Sequence, residues 1–152
     1  MKVIITRMFS HEGKRRGKRF ALSSFAHQIV ENEKGGGDGF IRHGNLQSVR
    51  TYNHIDDAVH AYWLAVNYCE SGEVYNIGGD ETCTIGEALD KLISKSTKTD
   101  LKKKEDKSRI RPTDITLQIP SSEKFRKRTG WKPIKGLDDI CDDLLNHWRE
   151  VL

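Results

Sequence analysis

The residues of this sequence best suited to chemistry are arginines grouped in loops or at the ends of apolar segments. One group is Arg15-Arg16 within His11–Phe20 (His-Glu-Gly-Lys-Arg-Arg-Gly-Lys-Arg-Phe), a second is Arg50, and a third is Arg111 in Arg-Pro-Thr-Asp114. A guanidinium offers five donors in a flat fork that fits phosphate oxygens two at a time. Arginines folded towards one cleft would make a pyrophosphate site, and Asp114 beside them could take ribose hydroxyls. The alternative is a set of ordinary solvated surface arginines.

Other chemistries find little support. Cys69, Cys83 and Cys141 are scattered, with no Cys-x-x-Cys, so a disulfide scaffold is not expected and a reducing cytoplasm is the natural setting. The six histidines lack metal-ligand spacing. Gly35-Gly36-Gly37 and Gly39 follow a predicted helix rather than a strand, without the spacing of a dinucleotide fingerprint. Lys+Arg exceed Asp+Glu by 26 − 22 = 4. Much of that excess gathers in Lys102-Lys103-Lys104, Lys107, Arg109 and Arg111, but Glu105 and Asp106 interrupt the run and no aromatic interleaves it. Nucleic-acid binding is therefore not expected. No apolar run is long enough for a spanning helix, which needs about 18 residues.

The elements that would position the arginines follow from periodicity. At 152 residues, of which 36% are hydrophobic and 32% charged, the chain suits one domain, residues 1–152, with a solvated surface. Residues 2–6 and 73–77 read as short buried strands, and 40–43 and 49–52 as extended segments. Helices are predicted over 21–33, with Leu22, Phe25, Ala26, Ile29 and Val30 on one face, and over 55–68. In the second, Ile55, Ala58, Val59, Tyr62, Trp63 and Val66 make the stripe, while Ala61, Leu64 and Ala65 widen it, so neighbours are expected on two sides. Asp56 and Asp57 sit in its first turn, where the helix dipole favours negative charge. Thr84-Ile-Gly-Glu87 is a capping box opening a third helix. The stretch after Thr97 reads as a loop, and 114–118 as a strand. Ser121 or Ser122 should cap a short helix ending at Gly130, and residues 137–148 form a clean amphipathic helix. All three tryptophans are expected in the core.

Several blocks together resemble a known family. Thr6–Gly13 (Thr-Arg-Met-Phe-Ser-His-Glu-Gly) with Arg15–Phe20 is similar to the segment after the sixth strand of GDP-mannose 4,6-dehydratases, which are extended short-chain dehydrogenase/reductases. Gly44–Tyr52 (Gly-Asn-Leu-Gln-Ser-Val-Arg-Thr-Tyr), Asp56-Asp57, Ala61-Tyr-Trp63, Gly72–Ile77, Arg111–Asp114 and Gly130-Trp-Lys-Pro133 follow in the family's order.

The resemblance implies an α/β chain, a partial extended fold in which strands 2–6 and 73–77 belong to a parallel Rossmann sheet. It implies a GDP-sugar ligand, GDP-mannose first. Ser10 stands where the family usually has an asparagine touching substrate, Arg16 and Phe20 match the loop lining the nucleotide pocket, and Arg50 and Arg111 match pyrophosphate-binding arginines. Asp114 matches a ribose-binding carboxylate, with Asn45 and Val49 on the base side.

The family's Gly-rich turn and its Tyr-x-x-x-Lys are not found: Tyr52, Tyr62, Tyr68 and Tyr75 are followed four positions later by Asp56, Val66, Gly72 and Gly79. The expectation is thus a substrate-binding half with no catalytic residue and no cofactor of its own, NADP belonging to the complete enzyme. Its strands would need a second copy or a separate N-terminal Rossmann half. The alternative is a non-catalytic nucleotide-sugar binding or interaction module.

Overall fold

Two apolar clusters organise the molecule, a computed structural model describing residues 1–152. The larger is built by three helices, α1 (Ala21–Glu33), α3 (Ile85–Ser94) and α5 (Leu137–Val151). Each presents one apolar face: Leu22, Phe25, Ala26, Ile29 and Val30 from α1, Ala88, Leu89 and Leu92 from α3, and Leu137, Ile140, Cys141, Leu144 and Leu145 from α5. α3 opens with the expected reciprocal cap, Thr84 Oγ1 accepting from Glu87 N at 3.0 Å and Glu87 Oε2 from Thr84 N at 2.7 Å.

The smaller cluster is built by β1 (Ile5–Met8), β6 (Val74–Ile77), α2 (Ile55–Tyr68) and α4 (Glu123–Thr129). β1 and β6 pair in parallel, Ile5 opposite Val74 through Met8 opposite Ile77. Tyr75, Ile77, Phe125 and Trp131 pack on the small side chains Ala61 and Ala65 of α2. Gly130 ends α4 in the left-handed region at φ 71°, where the missing Cβ removes the strain.

The remaining strands are short. β2 (His11–Glu12) runs parallel to β5 (Asn53–His54). β3 (Phe40–His43) runs parallel to β8 (Lys102–Glu105). β4 (Val49–Thr51) lies between antiparallel β7 (Thr82–Thr84) and parallel β9 (Leu117–Gln118). On its free side β3 is met by a side chain instead of a strand. Gln28 Oε1 accepts from Arg42 N at 2.8 Å, and its Nε2 donates to Arg42 O at 3.1 Å.

Polar side chains tie the pieces together. Buried His54 accepts from Asp56 N through Nδ1 and donates through Nε2 to Asp143 of α5 at 3.0 Å. Asp57 Oδ2 accepts from Ile134 N and Lys135 N at 3.0 and 2.9 Å, latching the segment before α5 onto α2. The clusters meet where Gly79 follows β6: a Cβ there would collide with the Tyr52 carbonyl.

Five sequence expectations need correction. The first strand covers residues 5–8 rather than 2–6, because its length is set by its partner β6, and Val3 and Ile5 remain exposed. α2 buries Ala58, Ala61, Leu64 and Ala65, while Val59, Tyr62, Trp63 and Val66 face outward; its small residues allow the close approach. Trp63 is accordingly 58% exposed and not a core residue. The lysine stretch contains β8, whose ladder bonds come from the β3 backbone while the side chains stay in solvent. The strand expected at 114–118 is reduced to Leu117–Gln118.

Candidate functional site

A cavity of about 680 Å³ opens between the loop before α1, the end of β3, strand β4 and the segment 108–114. Ser10, Phe20, Asn45, Arg50, Arg111 and Asp114 all line it. These are six of the eight residues singled out in the sequence. Arg16 and Val49 are not among the lining residues: Arg16 turns aside to stack on the Phe20 ring, 3.4 Å from its centroid, and Val49 sits in the ladder opposite Thr84 and Leu117.

Arg50 is placed by the central strand of its sheet and is held from two sides. Its Nη1 donates to Val49 O at 2.8 Å, and its Nη2 lies 3.5 Å from Asp114 Oδ1. Asp114 Oδ2 in turn accepts from Ser48 Oγ at 2.7 Å and Asn45 Nδ2 at 2.9 Å. The Ser48 hydroxyl above all, then Asn45 and the Arg50 charge, hold the Asp114 carboxyl below its usual range against the opposing effect of burial. Asp114 is therefore ionised at neutral pH. Ser10 gives its carbonyl to Asn53 N at 2.9 Å and lines the cavity beside Glu12.

The segment bearing Arg109 and Arg111 approaches through a glycine. A Cβ on Gly44 would overlap the Arg109 carbonyl, so only glycine lets the two backbones meet here. Arg109 is committed to the fold, donating to Ser24 Oγ at 3.1 Å and to Asp106 Oδ2 at 3.2 Å. Lys18, Arg19 and Arg111 also line the cavity, are exposed, and form no ion pair within the chain. Lys18 and Arg19 were legible as part of the basic run but carried no individual signal. Glu12, Tyr52 and His43 also line the cavity. Burial raises the Glu12 carboxyl to about 7, with Arg16 pulling part of the way back, and burial likewise pushes the Tyr52 hydroxyl up.

The glycine run Gly35–Gly39 does not form a dinucleotide-binding turn. Gly35 and Gly39 adopt positive φ, but the chain runs from α1 into strand β3, and Asn32 Oδ1 takes Gly39 N at 2.7 Å. No helix N-terminus follows the glycines to receive a pyrophosphate. No group of three or more His, Cys, Asp or Glu is placed to hold a metal ion. No helix is long and apolar enough to cross a membrane.

The family model described as GDP-mannose 4,6 dehydratase matches residues 1–144. The chain belongs to that family. This member is 24% identical over 148 residues to GDP-6-deoxy-D-mannose reductase of Pseudomonas aeruginosa, covering 97% of this chain and 48% of the relative. It is 27% identical over 147 residues to GDP-mannose 4,6 dehydratase 1 of Arabidopsis thaliana, covering 95% and 40%. The solved structure of RMD from Pseudomonas aeruginosa complexed with NADPH superposes with a TM-score of 0.89 at 24% identity, over 99% of this chain and 50% of that one. UDP-glucose 4-epimerase from Bifidobacterium longum, in complex with NAD+ and UDP, superposes at 0.81 and 18% identity, over 98% and 48%. The fold is thus the α/β extended short-chain dehydrogenase/reductase fold in part, and the chain spans about half the length of the relatives it matches.

Proposed function

We propose that this chain is the nucleotide-sugar binding part of a GDP-mannose 4,6-dehydratase-like enzyme of deoxysugar biosynthesis, with GDP-mannose the first candidate ligand. The observation that carries the reading is the convergence of Arg50 with the unpaired cations Lys18, Arg19 and Arg111 on one cavity that also holds the Asn45–Asp114 pair. A nucleoside diphosphate sugar brings two or more negative charges and a ribose diol into one molecule. The cations answer the diphosphate, with Arg50 pre-set by its contacts to Val49 O and Asp114. Asp114 Oδ1, whose nearest cation is 3.5 Å away, answers the ribose. Arg16 acts on this reading as a support for the loop, stacked on Phe20, and Val49 as part of the strand that carries Arg50.

The role assigned here is binding and orientation, which supply catalytic power only when the reacting groups are in place. Tyrosine acid/base chemistry and the NADP site are assigned to residues outside this chain, so the chain by itself is proposed to be inactive. The surface that would receive such a complement, or a second copy, is the bare side of β1 with the outward face of α2. Val3, Ile5, Val59, Trp63 and Val66 are exposed there. Three free cysteines, none in a disulfide, suit the reducing cytoplasm.

Thermal unfolding with and without ligand tests the reading. At 100 times the dissociation constant, a specific ligand adds about 2.7 kcal/mol. GDP-mannose and GDP should raise the melting temperature, and Arg111→Ala should abolish the rise while leaving the ligand-free melt unchanged. A response to heparin equal to that for GDP-mannose, and lost in moderate salt, would reduce the site to mere basicity.

A further inference from the structure

Glu12 is a buried acid on the cavity wall whose carboxylate does nothing for the fold. Its side chain is 7% exposed, and Oε2 makes no hydrogen bond. The nearest cation, Arg16, brings Nε to 3.5 Å, yet that nitrogen is itself without a hydrogen bond. An unsatisfied carboxylate in such a place destabilises the chain, which is why burial lifts its pKa to about 7.

The backbone nevertheless fixes Glu12 firmly. β2 pairs it with His54, and the next residue, Gly13, packs so tightly on Ile55 that a Cβ there would overlap the side chain. Tyr52 lines the same wall and is itself buried. The cavity is therefore graded. Its exposed cations, Lys18, Arg19 and Arg111, sit at the rim, while Glu12 and Tyr52 are buried. A carboxyl group with hydrogen-bonding capacity left unused by the fold accepts from ligand hydroxyls when ionised.

We propose that Glu12 accepts the ring hydroxyls of the sugar carried on the bound diphosphate, so that it selects a glycosylated nucleotide over the bare one. This rests on the nucleotide-sugar reading above and adds to it the residue that reads the sugar. The competing role is purely internal, in which Glu12 only steers Arg16 and treats both ligands alike.

Isothermal titration of the full chain with GDP-mannose and with GDP separates the two roles. Glu12→Gln should weaken GDP-mannose about ten-fold, as expected for a lost hydrogen bond to a charged group, and change GDP affinity by less than about two-fold. Glu12→Asp, which keeps the charge but draws the carboxylate back, should lose the same preference; melting curves of both variants establish that they fold. Equal weakening of both ligands, or no change in either, would overturn the assignment of Glu12 while leaving the nucleotide site standing. Failure of both ligands to bind the unaltered chain would overturn the site itself, and this inference with it.

Discussion

The two apolar clusters are made of similar residues but are covered differently. Around α1, α3 and α5 every large apolar side chain that faces inward meets another, and Leu89, Leu92, Ile140, Leu144 and Leu145 are fully enclosed. Around α2, β1 and β6 only one side is closed. Tyr75, Ile77, Phe125 and Trp131 are buried, while Val59, Trp63 and Val66 on the back of α2 are 59%, 58% and 78% exposed. An apolar strip of that size on a helix is the mark of a face awaiting a neighbour. The cavity lies against the closed cluster, whose Leu22, Phe25 and Tyr52 form part of its wall. On the proposed reading, ligand recognition and association with further protein would thus occupy opposite kinds of surface.

The sharpest way to break this contrast is to cut into each cluster in turn. Leu144→Ala should cost about 2–5 kcal/mol, since its neighbours in α1 and α3 cannot collapse fully into the space; chemical denaturation measures it. Glu12→Gln should do the opposite at the cavity wall. Glu12 has its pKa raised from 4.5 to about 7, so the folded chain holds a proton that the unfolded chain has released between those values. The stability from that proton is complete below pH 4.5 and lost as pH rises to about 7. The variant should match the wild type at pH 4 and exceed it by up to about 3 kcal/mol at pH 8, read as a pH series of melting temperatures.

At the seam, Asp57→Ala leaves the Ile134 and Lys135 amides without their acceptor and should cost about 1–3 kcal/mol, with faster amide exchange at those two positions. On the open face, Trp63→Ser should shift stability by no more than about 0.5 kcal/mol while reducing self-association in sedimentation. A loss as large as that of Leu144→Ala would mean that Trp63 is already covered.

Much of the architecture was legible from periodicity. The first helix has one apolar stripe, and its end at Glu33 follows from the glycines after it; the Thr84–Glu87 box announced α3 just as plainly. α2 was legible as a helix but not in its orientation, because alanines and bulky residues compete for the inside when both faces are apolar. There close packing favoured the small ones. β8 was invisible because lysine has no preference that marks a strand; its pairing comes from β3 and from Lys103 reaching Asp90. In the cavity, the arginine types and Asp114 could be read from the sequence. The burial that makes Glu12 unusual could not, since it depends on Arg16 turning towards Phe20 and on β2 pairing with β5.

Gly79 ties the two clusters to one another in a way that reaches the cavity. Its α-carbon rests against the Tyr52 carbonyl, and the Tyr52 ring forms part of the cavity wall. A single methyl at position 79 would act as a wedge driven in from behind, prising the wall outward without altering any group that faces the cavity. The width of the cavity is in that sense set from the side of the smaller cluster, at a residue that never touches the cavity itself.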